Sequence, residues 1–209
     1  MSYMGNRSYF VIGVSGLMSS GKTSLIMKLT ELLQGSVPLL WDDYDHLLEL
    51  EISDFNKWVE TGCDTNKYKT TRFTEDLRKL RNGSTIENPI TNMEVKPARY
   101  IIVEDPTGRT REEMKRLIDY LVFLKVPLEI SLARTYSREL KNRQKYKDAE
   151  ELLQYLESFT DRYLDWYHKA CQNIEKRIRE DADLILDGQK TSHELAEILK
   201  QKIKEKIGS

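Results

Sequence analysis

YFVIGVS, residues 9–15, runs directly into GLMSSGKTS, residues 16–24, and the reading of this junction decides the fold. Tyr9 to Val14 are aromatic, β-branched or otherwise apolar, as a strand buried on both faces of a parallel sheet requires. From Lys22 to Leu33 the apolar positions Leu25, Ile26, Leu29, Leu32 and Leu33 recur at three and four residues and predict a helix that stops at Gly35. Between strand and helix stands Gly16-x-x-x-x-Gly21-Lys22-Thr23, the phosphate-binding loop pattern. Glycines let the backbone curl so that successive N–H groups point at one anion, and the helix that follows turns its positive end to the same place. Gly16, Leu17, Met18, Ser19, Ser20, Gly21, Lys22, Thr23 and Ser24 are therefore the candidate nucleotide-binding residues. Lys22 supplies a mobile charge for the terminal phosphates, and the Thr23 hydroxyl is a ligand for Mg²⁺.

Moving outward, further apolar runs at Val37–Trp41, Tyr100–Val103, Tyr120–Val126 and Asp183–Leu186 read as strands, each separated from the next by helical spacing. Strands alternating with helices, and nearly all apolar, predict an α/β fold: a three-layer α/β/α P-loop NTPase with an open five-stranded parallel sheet. The pattern loosens between about Leu47 and Lys96 into helical pieces and polar turns, an insertion or lid-side subdomain rather than sheet within a single domain, 1–209. Leu128–Leu140 predicts a helix with an arginine-rich exposed side and 134–148 a lid region. Asp148–Ile178 reads as one long amphipathic helix. Thr110-x-x-Glu113 and Thr191-x-x-Glu194 read as capping boxes that open helices.

Thirty-three basic and 34 acidic side chains leave a net charge near zero, so no global field draws in nucleic acid or an anionic membrane. Any anion is held by a local site. No segment reaches the apolar length of a membrane span and the start lacks a leader pattern, so a cytoplasmic location is expected. Cys63 and Cys171, far apart and outside any C-x-x-C spacing, read as buried structural residues of a reducing compartment. His46 reads as a surface residue, and the oligomeric state is left open.

What stands opposite the phosphates separates the P-loop classes. The Asn-Lys-x-Asp segment that reads guanine is absent from the sequence. Phosphoryl transfer needs an acid near the γ-phosphate for the acceptor hydroxyl, a second acid for the metal, and movable cations over the transferring group. Asp42 and Asp43 close the second strand, with Asp42 or Asp43 as candidate base. Glu104 and Asp105 close the third, with Glu104 beside Thr23 and Asp42 as candidate metal residues. Arg134, Arg138, Lys141 and Lys145 share one helix face next to Arg143.

With these residues assembled, the chain resembles the uridine kinase and phosphoribulokinase superfamily of P-loop small-molecule kinases, which also contains nicotinamide riboside kinases and bacterial pantothenate kinases. The resemblance spans VIGVSGLMSSGKTSL (11–25), WDDYD (41–45), the acid after the third strand, LARTYSREL (132–140) and ADLILDG (182–188). It implies a five-stranded parallel sheet with an acceptor-side insertion over 47–97 and a mobile lid, Asp42 as general base with Asp43 the fallback, Asp43 and Tyr44 at the acceptor, Glu104 at the metal, and Arg134, Arg138 and Arg143 as lid arginines over ATP. Two departures bear on the acceptor. Glu104-Asp105-Pro106-Thr107-Gly108-Arg109 replaces the usual Glu-Gly, and Pro89-Ile90-Thr91-Asn92 stands where uridine kinases hold the pyrimidine with proline and tyrosine. Arg109 and Arg111 are the candidates for pairing with a charged acceptor. The expected activity is Mg²⁺-dependent transfer from ATP to a hydroxyl of a nucleoside or other small metabolite. The alternatives are a nucleotide-dependent switch without an acceptor and a nucleic-acid kinase working through the 134–147 basic face, which the neutral charge opposes.

Overall fold

The computed structural model describes residues 9–208; the first eight residues and Ser209, which the single-domain reading includes, lie outside the described residues. The chain runs β1 (Phe10–Gly16), α1 (Lys22–Leu32), β2 (Ser36–Leu39), β3 (Glu49–Leu50), α2 (Phe55–Glu60), β4 (Tyr68–Lys69), α3 (Thr71–Arg81), β5 (Ile86–Glu87) and β6 (Glu94–Val95). It continues through β7 (Tyr100–Glu104), α4 (Glu112–Lys115), β8 (Tyr120–Lys125), α5 (Leu128–Lys141), α6 (Ala149–Arg162), α7 (His168–Asp181), β9 (Leu184–Asp187) and α8 (Ser192–Gly208). The five predicted apolar runs form one parallel sheet in the order β2-β7-β1-β8-β9.

Both sheet faces are covered, which is why these strands are apolar at every position rather than at alternate ones. On one face Ile12, Val14, Ile102, Val122 and Leu124 meet Leu25 and Leu29 of α1 and Leu195, Leu199 and Ile203 of α8. On the other, Val11, Ile101, Val103 and Phe123 meet Phe73, Leu77 and Leu80 of α3, Met114 of α4 and Ile178 of α7. The register sets Val14 beside Glu104 and Gly16 beside Leu124. The acid that ends β7 therefore stands next to the loop that leaves β1, at the carboxyl edge where open α/β sheets bind ligands.

Four expectations change in tertiary context. Trp41 leaves the strand: β2 pairs only with β7, its register ends at Leu39 opposite Val103, and residues 41–43 turn as a 3₁₀ helix with the Trp41 ring edge-on to Phe73 at 5.4 Å. The insertion, expected without sheet, carries two antiparallel ladders, β3 with β4 and β5 with β6, each only two residues long and too short to leave a period in the sequence. The Thr110/Glu113 capping box does not form. Arg111 precedes α4, and the Glu113 carboxylate accepts instead from Arg111 and Thr70, 2 and 43 residues away. The predicted 148–178 helix is α6 and α7 joined through a π-helical turn, Tyr163–Tyr167. That turn directs Trp166 onto Phe55 of α2, stacked at 4.2 Å, while Tyr167 faces a cavity.

Candidate active site

The loop after β1 needs its glycines for space and for dihedrals. A Cβ on Gly16 would lie 2.8 Å from the Leu124 carbonyl oxygen and 2.8 Å from Ser20 Oγ, and Gly21 holds φ 97° at the start of α1. Ser19 also sits at positive φ, 49°. Lys22 Nζ donates to the Leu17 carbonyl at 3.1 Å and stands 3.6 Å from Glu104, so the lysine arches back over its own loop. Thr23 Oγ1 donates to Glu104 Oε2 at 3.0 Å. Burial pulls the Lys22 ammonium below the usual lysine range, opposed by Glu104 and Asp42. Burial likewise pushes Glu104 above the usual carboxylate range, opposed by Lys22 and Thr23 and reinforced by Asp42. Both shifts have one cause: charged groups packed with few solvent contacts.

The residues fit a magnesium nucleotide. Ser20 Oγ is buried in the loop without a hydrogen-bond partner, and Ser20 itself lies outside the cavity lining. Thr23, Glu104 and Asp42 offer hard oxygen donors. Among the described residues no group of three or more His, Cys, Asp or Glu forms a protein cage for a metal. Mg²⁺ takes one or two protein oxygens, which these donors could supply, and completes its shell with phosphates and water.

A cavity of about 720 Å³ opens at this edge. It is lined by the loop, by Asp42 and Glu104, and by Arg134 and Arg138 of α5. Arg134 Nη1 donates to the Gly188 carbonyl at 3.0 Å, fixing α5 against the turn after β9, and Arg138 Nε reaches Glu139 at 3.3 Å. Ser131 and Thr135 of α5 bond Met18 and Ser19, so the helix that carries these arginines is tied to the phosphate loop itself.

Other predicted site residues stand elsewhere. Asp43 accepts from Asn88 Nδ2 at 2.7 Å and lies outside the cavity lining. Tyr44 is buried, edge-on to Phe73, with its hydroxyl donating to Asp76 at 3.2 Å. Arg143 sits in the turn after α5, outside the lining. Arg109 is held by Asp181 at 2.9 Å and Asp183 at 3.0 Å. The structure adds residues that sequence reading did not place at the site: Tyr68, Phe123, Tyr167, Cys171, Ile174 and Glu175 line the second half of the cavity. Of these, Tyr167 and Ile174 belonged to the apolar stripe legible along 148–178, yet a stripe facing a cavity and a stripe facing a core have the same period.

No family model matches the chain. A uridine kinase of Borrelia garinii subsp. bavariensis is 28% identical over 189 residues, covering 84% of this chain and 85% of that protein. A uridine kinase of Macrococcus caseolyticus is 25% identical over 193 residues, 84% of this chain and 86% of that protein. This chain is similar to bacterial uridine kinases. In this chain the phosphate-loop pattern follows the central strand β1 of the parallel sheet. Solved structures bear out the fold. A possible uridine kinase from Bacillus stearothermophilus superposes with a TM-score of 0.52 at 17% identity, over 88% of this chain and 92% of that one. The shikimate kinase of Aquifex aeolicus gives 0.51 at 21% identity, over 96% of this chain and all of that one. Uridine kinase relatives and shikimate kinase neighbours thus share the P-loop kinase fold.

Proposed function

We propose that the chain transfers the γ-phosphate of ATP to a hydroxyl of a ring-bearing metabolite of the nucleoside class. The observation that carries this reading is one cavity holding the phosphate loop, Asp42 and an apolar, aromatic second half. In this reading Lys22 and the loop amides bind and orient the phosphates. Asp42 accepts the proton of the acceptor hydroxyl. Arg134 and Arg138 cover the transferring group and exclude water. Thr23, Glu104 and Asp42 would hold a Mg²⁺ ion, which would supply charge neutralisation.

Charge narrows the acceptor. The cations lining the cavity are Lys22, Arg134 and Arg138, on the loop and α5, whereas Asp45 and Glu175 add negative charge to the lining. Arg109 is committed to Asp181 and Asp183, and Arg111 to Asp105 and Glu113. A carboxylate or phosphate on the acceptor gains no free cation there. The uridine kinase names of the relatives support the same choice.

The test is ADP release against a panel of uridine, cytidine, nicotinamide riboside, pantothenate, glycerate and sugar phosphates. Acceptors without negative charge should stimulate release and the anionic ones should not. Asp42→Asn should keep ATP binding and lose transfer by at least ~100-fold. Release indifferent to every acceptor would favour the switch reading, and near-normal turnover by Asp42→Asn would remove Asp42 as the base.

A further inference from the structure

Among the described residues Arg111 is the largest fully buried side chain, and it lies beside the site without lining it. All three guanidinium nitrogens donate. Nη2 donates to Asp105 Oδ2, Nε to Thr107 Oγ1 at 3.1 Å, and Nη1 to Glu113 Oε1 at 2.9 Å and to Thr70 Oγ1. The guanidinium carbon stands 5.2 Å from the centroid of the Trp41 ring. Asp105 is equally enclosed. Its Oδ1 accepts from the Thr107 amide and hydroxyl, both at 2.8 Å, and its own amide donates to the Val14 carbonyl at 3.2 Å.

These contacts join five pieces of chain. Asp105 directly follows Glu104 at the end of β7, Thr107 belongs to the next turn, Glu113 to α4, and Thr70 precedes α3 in the insertion. Trp41 directly precedes Asp42. One planar fork therefore spans the element carrying the metal acid and the turn carrying the proposed base, and bolts the insertion to both. A solvated ammonium could neutralise Asp105 but could not hold four acceptors in a plane and cover an indole ring.

We infer that Arg111, locked by Asp105, is a positioning residue that sets the relative placement of Asp42 and Glu104, and that it does not contact the acceptor. This rests on the proposed phosphotransfer. A phosphate-transferring site tolerates little misplacement, so losing the fork is expected to lower the rate of the bound complex more than binding itself.

Arg111→Lys, which keeps the charge and loses the plane, is the test. With ATP and the best acceptor of the panel, kcat should fall at least tenfold while both KM values stay within about threefold. Arg111→Met should fall at least as far, with the lysine variant a partial rescue. Unchanged kcat in a folded Arg111→Lys overturns the inference, and so does a raised acceptor KM at unchanged kcat, which would make Arg111 an acceptor-binding residue. If Arg111→Lys fails to fold, Glu113→Ala removes one anchor and leaves Asp105 paired; a threefold or larger fall in kcat at constant KM supports the inference, and no fall overturns it. If the wild-type chain transfers phosphate to no acceptor, the proposed function falls by itself. The positioning unit is then read from the Mg²⁺ enhancement of ATP affinity, which Arg111→Lys should reduce threefold or more; an unchanged enhancement overturns it.

Discussion

Cys171 and Cys63 show how burial decides the chemistry of a residue. Cys171 lines the cavity, yet burial pushes its thiol up to about 12, opposed by a hydrogen bond with Tyr167. Burial also raises Cys63, against the Asn173 amide that donates to its sulfur at 3.6 Å. The thiolate is the nucleophile, and a thiol at about 12 is ionised on the order of once in ten thousand molecules at pH 8. Neither cysteine is expected to react quickly with iodoacetamide at pH 8 in the native protein, and both should react on unfolding. Mass spectrometry of the alkylated chain before and after denaturant checks this. Rapid native labelling of Cys171 would mean that α7 opens far more readily than its packing implies.

Elements hold where their caps are local and shift where tertiary partners compete. Thr191 and Glu194 form the predicted capping box at α8: the Thr191 hydroxyl and amide donate to Glu194 at 2.7 and 3.0 Å, and the Glu194 amide returns to Thr191 at 3.3 Å. Thr191→Ala is expected to cost about 1 kcal/mol, seen as a drop of roughly 2–4 °C in a thermal melt, with activity unchanged. An unshifted melt would make the box decorative. The Thr110 box had the same letters but faced Arg111, a buried cation that needs Glu113 more than a four-residue helix does. In α6 and α7 the apolar stripe was read correctly as helical. The π-turn between them is invisible to a three-and-four spacing, because it answers to the Phe55 ring more than a hundred residues earlier.

At the scale of the molecule, the phosphate loop and the sheet edge line one cavity, so under the proposed function nucleotide should stabilise the fold. At a hundredfold excess over its dissociation constant, MgATP should add about 2.7 kcal/mol, raising the midpoint by roughly 5–10 °C for a chain of this size. Lys22→Ala should largely abolish the shift by removing the cation buried against the loop and Glu104. A full shift in Lys22→Ala, measured by differential scanning fluorimetry, would show that the nucleotide binds elsewhere. Among the described residues no helix is long and apolar enough to cross a membrane.

The amino-acid sequence determined what neighbouring residues can settle among themselves. The β1 strand, its glycine loop and α1 are contiguous, so the phosphate cradle and the five-stranded parallel sheet could be read from residues 9–33 and the repeated apolar runs. Only the tertiary structure decided what each charge is for. Arg109 looked free in sequence and is spent on Asp181 and Asp183, more than seventy residues away. Arg111 sat beside it and became the buried fork between two acids. A charge chooses its partner by distance through space in a medium of low dielectric, and a linear text carries no such distance.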